Sequence, residues 1–337
     1  MRPVLEGTFP PARPAISAEV RSGLAPRALR RHSRGTPQNR NAEGDPGPMG
    51  AIIYRDYDKE ALDAQYNCRG MVPDFEDHMA RWKRLSDEAY AGFEVRRDLA
   101  YGSSDGERLD LFLPAGRGPH PLMIFIHGGY WRAMDKNVHA FPALGFVPAG
   151  IALATINYTL APGADMDRIV RECRRAVAWC WREAATLGID RERIHVSGHS
   201  AGGHLTAMTM ATDWPAFDPA VPAGIVRSGC PISGLYDLEP IRLTYLNPDV
   251  RLTEDQVERN SPVNLSPQGP QAMVIAAGGI ESDEFHRQQA VLVSRWRDSI
   301  ADIEEVAMPG RHHFDVVTAL AEPDNPLCVA AKARILG

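Results

Sequence analysis

Short apolar runs alternate with longer segments of helical periodicity along most of the chain. The runs predicted to be strands lie at residues 93–100, 108–113, 122–126, 151–156, 193–197, 225–229, 272–277 and 303–307. The clearest helical pattern extends from Met166 to Leu187, and Gly188 follows it as a C-terminal cap would. Strands that alternate with helices in this way predict a mostly parallel central sheet with helices on both faces.

Three stretches depart from this alternation. Residues 54–92 have an amphipathic helical pattern, and we expect them to form part of a lid or an entrance wall. Residues 231–269 lack a clear strand and are predicted to form an excursion between core strands that overhangs the active site. Residues 1–50 are rich in Pro, Arg, Gly and Ser without an apolar period. We interpret them as a disordered extension or a mis-assigned start, and residues 51–337 as a single domain.

The most informative motif is Gly-x-Ser-x-Gly at residues 198–202, between a predicted strand and a predicted helix. A strand–turn–helix context is what this nucleophile elbow requires. The serine sits at a sharp turn with its hydroxyl exposed, and side chains at the two glycines would collide with neighbouring elements. Ser200 is therefore predicted to be a catalytic nucleophile.

A second glycine motif, His-Gly-Gly-Tyr-Trp, follows the apolar strand 122–126 at residues 127–131. Such a loop supplies backbone N–H groups to an oxyanion hole. We expect Gly128, Gly129 and Ala201 to form that hole. Tyr130 and Trp131 are predicted to contact the substrate, although aromatic core packing would explain them nearly as well.

A serine nucleophile needs a histidine base and an orienting carboxylate, which follow the serine in this chain order. The loop after strand 272–277 offers Glu281, Asp283 and Glu284, and the loop after strand 303–307 offers His312 and His313. Spacing alone does not choose among them. An unperturbed histidine base would place the acid limb of the pH profile near about 6.5.

The bulk composition excludes several classes of function. The net charge is −6, which argues against a nucleic-acid partner and a basic membrane-binding patch. The five cysteines contain no Cys-x-x-Cys pair and are typical of buried, reduced thiols in a cytoplasmic protein. No zincin-type His-Glu-x-x-His motif is present. We expect no metal and no cofactor, a small-molecule substrate, no nucleic acid and no membrane, and allow for a homodimer.

Several runs together resemble kynurenine formamidase (arylformamidase) and its α/β-hydrolase relatives. They are the His-Gly-Gly-Tyr-Trp loop, the elbow, Glu-Phe-His-Arg-Gln at 284–288, Leu-Asp-Ala-Gln-Tyr-Asn at 62–67 and Ser-Gly-Leu-Tyr-Asp-Leu-Glu-Pro at 233–240. The resemblance implies that the acid is Glu281, where the family usually has Asp, with Asp283 as the competitor. It also implies that the base is His313, because the family's histidine immediately precedes a Phe.

The resemblance predicts an α/β-hydrolase fold and a serine hydrolase that cleaves a small-acyl aryl amide or ester. An aryl formamide such as N-formylkynurenine, an intermediate of tryptophan catabolism, is the leading substrate. A general carboxylesterase acting on small or xenobiotic esters is the first alternative, since its machinery is the same. A non-catalytic ligand-binding protein on a hydrolase fold is the second.

Overall fold

One eight-stranded sheet organises the chain. The computed structural model describes residues 50–269, 271–300 and 302–337, so the predicted N-terminal extension lies outside the described residues except for Gly50. The strands are β1 (Glu94–Ala100), β2 (Arg108–Leu113), β3 (His120–Ile126), β4 (Ala152–Ile156), β5 (Ile189–His199), β6 (Val226–Ile232), β7 (Ala272–Ile275) and β8 (Asp302–Glu305). Their spatial order is β1-β2-β4-β3-β5-β6-β7-β8. All eight predicted strands are present, with bounds shifted by a few residues.

The sheet is mostly parallel. The hairpin of β1 and β2 is antiparallel, and β2 joins β4 antiparallel. Every pairing from β4 to β8 is parallel. Parallel strands are buried on both faces, which explains why β3 is apolar at almost every position.

Helices connect and flank the strands. They are α1 (Lys59–Tyr66), α2 (Phe75–Gly92), α3 (Ala143–Phe146), α4 (Met166–Arg182), α5 (Ala184–Leu187), α6 (Ala201–Met210), α7 (Trp214–Phe217), α8 (Glu239–Arg242), α9 (Asn247–Val250), α10 (Glu254–Asn260), α11 (Asp283–Trp296) and α12 (Pro326–Leu336). The predicted helix 166–187 is divided into α4 and α5 and ends at Gly188, whose φ is +76°. No helix within the described residues is both long and apolar enough to span a membrane.

A buried polar cluster fastens α1 to α11 and to the segment after β6. Tyr66 donates from its hydroxyl to Glu284 at 2.8 Å, and Arg287 donates to the same carboxylate at 2.9 Å. The Gln288 side chain donates to Tyr66 and to the Asp237 backbone, and it accepts from the Asp237 N–H. Three of the motifs that carry the family resemblance therefore meet in one cluster, which holds the N-terminal helix against the sheet domain.

A second anchor holds α2. The indole N–H of Trp82 donates to the backbone oxygen of Phe314 at 2.9 Å. Phe75, the first residue of α2, contacts Phe314 edge-to-face with ring centroids 4.8 Å apart. The loop after β8 is thus fixed against the N-terminal helices rather than left free at the end of the sheet.

Candidate active site

The turn between β5 and α6 carries Ser200 in a strained backbone conformation. Its φ is +58° and its ψ is −118°, a region that non-glycine residues rarely adopt. A Cβ added at Gly198 would lie 2.3 Å from the Gly202 oxygen, and one at Gly202 would lie 1.9 Å from the Ile126 oxygen. The clash expected from the sequence is thereby confirmed for both glycines.

The His-Gly-Gly loop lies directly beside this turn. A Cβ added at Gly128 would lie 3.2 Å from the Cβ of Ser200. Gly129 has a φ of +97°, which turns the chain sharply after β3. Within the described residues, the backbone N–H groups of Gly129 and of Ala201, the first residue of α6, donate to no protein acceptor. These donors are available to a ligand beside Ser200.

The structure brings Glu281 and His313 together. Nδ1 of His313 lies 2.8 Å from Oε2 of Glu281, and both side chains are almost fully buried. The other carboxylate oxygen, Oε1, accepts the hydroxyl of Ser233 at 2.5 Å and the N–H of Gly278 at 2.6 Å. Three donors therefore fix this carboxylate in one orientation.

The competing acids and the competing histidine are engaged elsewhere. Asp283 is the exposed first residue of α11, and Glu284 belongs to the cluster with Tyr66 and Arg287. His312 points away from Glu281, and its Nε2 lies 3.0 Å from Nε2 of His78.

The hydroxyl of Ser200 makes no direct hydrogen bond to the imidazole of His313 among the described residues. The ring centroid of His199, the residue before Ser200, lies 4.6 Å from that of His313. Hydrogen bonds between nucleophile and base are often long in ligand-free enzymes and shorten when substrate binds. Burial and the neighbouring His313 hold the pKa of His199 well below its ordinary range, so this ring stays neutral beside the base.

Cys68 is the contact that sequence reasoning missed. It lines a cavity of about 180 Å³ together with Glu281 and His313, and its sulfur lies 3.2 Å from the hydroxyl of Tyr130. Burial alone would lower the pKa of His313, but Cys68 and then Glu281 favour the charged form and raise this pKa to about 10. The pKa of His313 is therefore higher than the ordinary imidazole pKa expected from the sequence.

The remainder of the cavity is largely apolar. Its other lining residues are Met71, Val72, Pro73, Asp74, Ile280, Phe285 and His312. The stretch between α1 and α2 supplies one side of this cavity, so the expected wall from the N-terminal segment is present. Ser200 is not among the residues that line the cavity.

Tyr130 and Trp131 do not face this cavity. The hydroxyl of Tyr130 donates to the Tyr66 backbone oxygen at 2.7 Å. Trp131 is fully buried, and its indole N–H donates to Nδ1 of His204 at 3.2 Å. The φ angles of these residues are +48° and +57°, and Tyr130 is half-buried while Trp131 is fully buried. Their placement favours the core-packing alternative over the predicted substrate contact.

Known proteins similar to this chain are hydrolases. The BD-FAE family model matches residues 109–223. The chain is 29% identical to kynurenine formamidase of Danio rerio over 301 residues, which is 84% of this chain and 98% of that protein. A candidate thioesterase of known structure from Silicibacter sp. is 32% identical with a TM-score of 0.71, covering 82% of this chain and 99% of that one. The carboxylesterase EstE1 from a metagenomic library is 18% identical with a TM-score of 0.60, covering 77% and 96%, a likeness of fold.

Proposed function

Since the chain is a kynurenine formamidase-like member of the α/β-hydrolase superfamily, and hence a hydrolase, we propose that it acts through Ser200, His313 and Glu281. The observation that carries this proposal is the hydrogen bond between Glu281 and His313 beside a strained serine turn. A buried carboxylate that accepts a hydrogen bond from Nδ1 leaves Nε2 of the imidazole as the proton acceptor.

The reaction begins with attack of Oγ of Ser200 on the carbonyl carbon, while Nε2 of His313 takes the hydroxyl proton. The N–H groups of the Gly128–Gly129 loop and of Ala201 hold the developing oxyanion, each donor contributing about 3 kcal/mol to the rate. His313 then protonates the leaving group, and the acyl-enzyme forms. Water activated by the same imidazole releases the acid and restores Ser200.

The proposed substrate is a small-acyl aryl amide or ester, most specifically an aryl formamide such as N-formylkynurenine. We assign the aromatic leaving group to the cavity lined by His313, which Phe285 and Val72 make apolar. A cavity of about 150 Å³ holds benzene, so a cavity of about 180 Å³ accommodates one aromatic ring. An aniline also leaves more readily than an alkyl amine.

A general carboxylesterase is the second candidate, favoured by the likeness to a candidate thioesterase over nearly the whole of that chain. Esters and amides use the same nucleophile, base and oxyanion donors, so the acyl and leaving groups decide between the two functions.

The test is a kcat/KM series of formyl, acetyl and butyryl derivatives of one aryl amine, with each rate divided by its hydroxide-catalysed rate. An aryl formamidase shows a corrected preference for formyl, and it turns over N-formylkynurenine faster than p-nitrophenyl acetate or butyrate. A corrected preference for butyryl would establish the esterase instead.

A further inference from the structure

Asp74, His78 and His312 form a cluster at the edge of the cavity. Asp74 precedes α2, His78 lies one turn into it, and His312 immediately precedes His313. One side-chain nitrogen or oxygen from each residue lies within 4.8 Å of the other two. Within the described residues, this is the one group of three His, Cys, Asp or Glu side chains that meets this distance.

Two of the three distances between these atoms match a tetrahedral metal site, and the third is within 4.8 Å. Nε2 of His78 lies 3.0 Å from Nε2 of His312 and 3.3 Å from Oδ2 of Asp74. Zinc bonds of about 2.0–2.1 Å place neighbouring tetrahedral ligands roughly 3.3 Å apart. We propose that Asp74, His78 and His312 bind Zn²⁺, with water as fourth ligand, and that the bound ion inhibits the hydrolase.

The surroundings of His312 can orient it as a ligand. Without an ion, the Phe314 N–H donates to Nδ1 of His312 at 3.1 Å, so the ring proton is on Nε2 and points to His78. Zinc binding at Nε2 would place the ring proton on Nδ1, which would then give up the Phe314 N–H and turn toward Oδ1 of Asp315, 3.5 Å away. A carboxylate behind a ligating histidine is the common outer-shell arrangement at zinc sites.

Inhibition follows from where the ligands lie. Asp74 and His312 line the same cavity as His313, so the ion and its water would take up part of the space that we assign to the leaving group. The ion also ties the start of α2 to the loop that carries His313. A metal crosslink at this point would oppose even a small adjustment of His313 toward the serine hydroxyl.

The binding test uses the full chain freed of metal with a chelator. Equilibrium dialysis against Zn²⁺ is expected to give one tight site per chain, and Co²⁺ is expected to give the visible absorption of a tetrahedral site. His78→Gln should raise the Kd by about 100-fold or more, because loss of even an outer-shell partner costs about 10–100-fold. His286→Gln, which removes an exposed histidine on α11, is the matched control and should keep the wild-type Kd.

The activity test follows the same variants. Hydrolysis by the wild type and His286→Gln should fall in proportion to Zn²⁺ occupancy, whereas His78→Gln should keep its metal-free rate. Circular dichroism verifies that each variant is folded, and Asp74→Asn provides a second ligand variant for the binding assay. Unchanged zinc affinity in both ligand variants overturns the site, and tight binding without inhibition overturns its regulatory role. The binding readout is independent of the proposed substrate.

Discussion

Glu281 and His313 are 32 residues apart in the chain and join through a 2.8 Å hydrogen bond. Ser233 and the Gly278 backbone hold the other oxygen of the carboxylate, so Glu281 presents one fixed oxygen to the imidazole. A side chain one methylene longer than the family's usual Asp is accommodated because these two donors determine where its carboxylate ends.

Replacing Glu281 by Gln is therefore expected to lower kcat/KM by about 10²- to 10⁴-fold, because an amide stabilises the imidazolium poorly. Asp283→Asn is the matched control two residues away, and it should remain close to wild type because Asp283 is exposed. Steady-state kinetics on one aryl formamide compares them. The opposite ranking would assign the acid to Asp283.

Ser200→Ala is expected to lower kcat by about 10⁴-fold or more, since residues of a catalytic triad act as a unit. A fluorophosphonate should label the wild-type protein on this serine, as read by mass spectrometry of the digested chain. Labelling at another serine, or near-normal turnover by the variant, would contradict the role of Ser200 and favour the alternative of a non-catalytic binding protein.

The two adjacent histidines should differ sharply. His313→Ala removes the proposed base and should reduce kcat as strongly as Ser200→Ala does. His312→Ala removes a ring that faces His78 rather than Glu281, so its loss should be much smaller. Assays in the presence of a chelator exclude metal effects. If His312→Ala proves the inactive variant, the base has been misassigned.

The acid limb of the kcat/KM profile should lie above about 6.5, the ordinary pKa of histidine. His313 must be neutral to accept the serine proton, so a raised pKa moves the rise in rate to higher pH. Cys68→Ala removes a group that favours the imidazolium and should shift the limb to lower pH. Cys180→Ala, a buried cysteine on α4, is the control. Coincident limbs for wild type and Cys68→Ala would refute this role of the thiol.

Trp131→Phe should destabilise the protein by about 1–3 kcal/mol, because Nδ1 of buried His204 loses its hydrogen-bond donor. Urea unfolding measures the change, and the ratio of kcat/KM for aryl formamide to alkyl ester should stay constant. A change in this kcat/KM ratio without a change in stability would show that Trp131 contacts the substrate.

The positions of the strands along the chain and the tight geometry of the elbow could be predicted because both depend on local patterns. β3 is apolar over consecutive positions, which the sequence shows directly. Glycine is needed at 198 and 202 because a side chain there would clash with neighbouring backbone. The choice of Glu281 over Asp283 depended on a family likeness, since both stand in the same loop. Only the fold shows that Asp283 begins a helix and faces solvent.

The contacts that sequence reasoning missed are those between distant segments. Ser233 lies 48 residues from Glu281, and Cys68 lies 62 residues from Tyr130, so no periodicity records either pair. The orientation of Trp131 was equally hidden, because its left-handed backbone is unusual for a residue with a side chain.

The cavity wall between α1 and α2 is fastened on both sides, by Tyr66 to α11 and by Trp82 to the loop of His313. A segment held in this way cannot swing open as a hinged flap. If this cavity receives the leaving group as proposed, exchange takes place at the rim, where Met71 and Ile280 are 43% and 62% exposed. Rotation of such side chains takes picoseconds to nanoseconds, so we expect turnover without the microsecond-to-millisecond closing step of lidded enzymes.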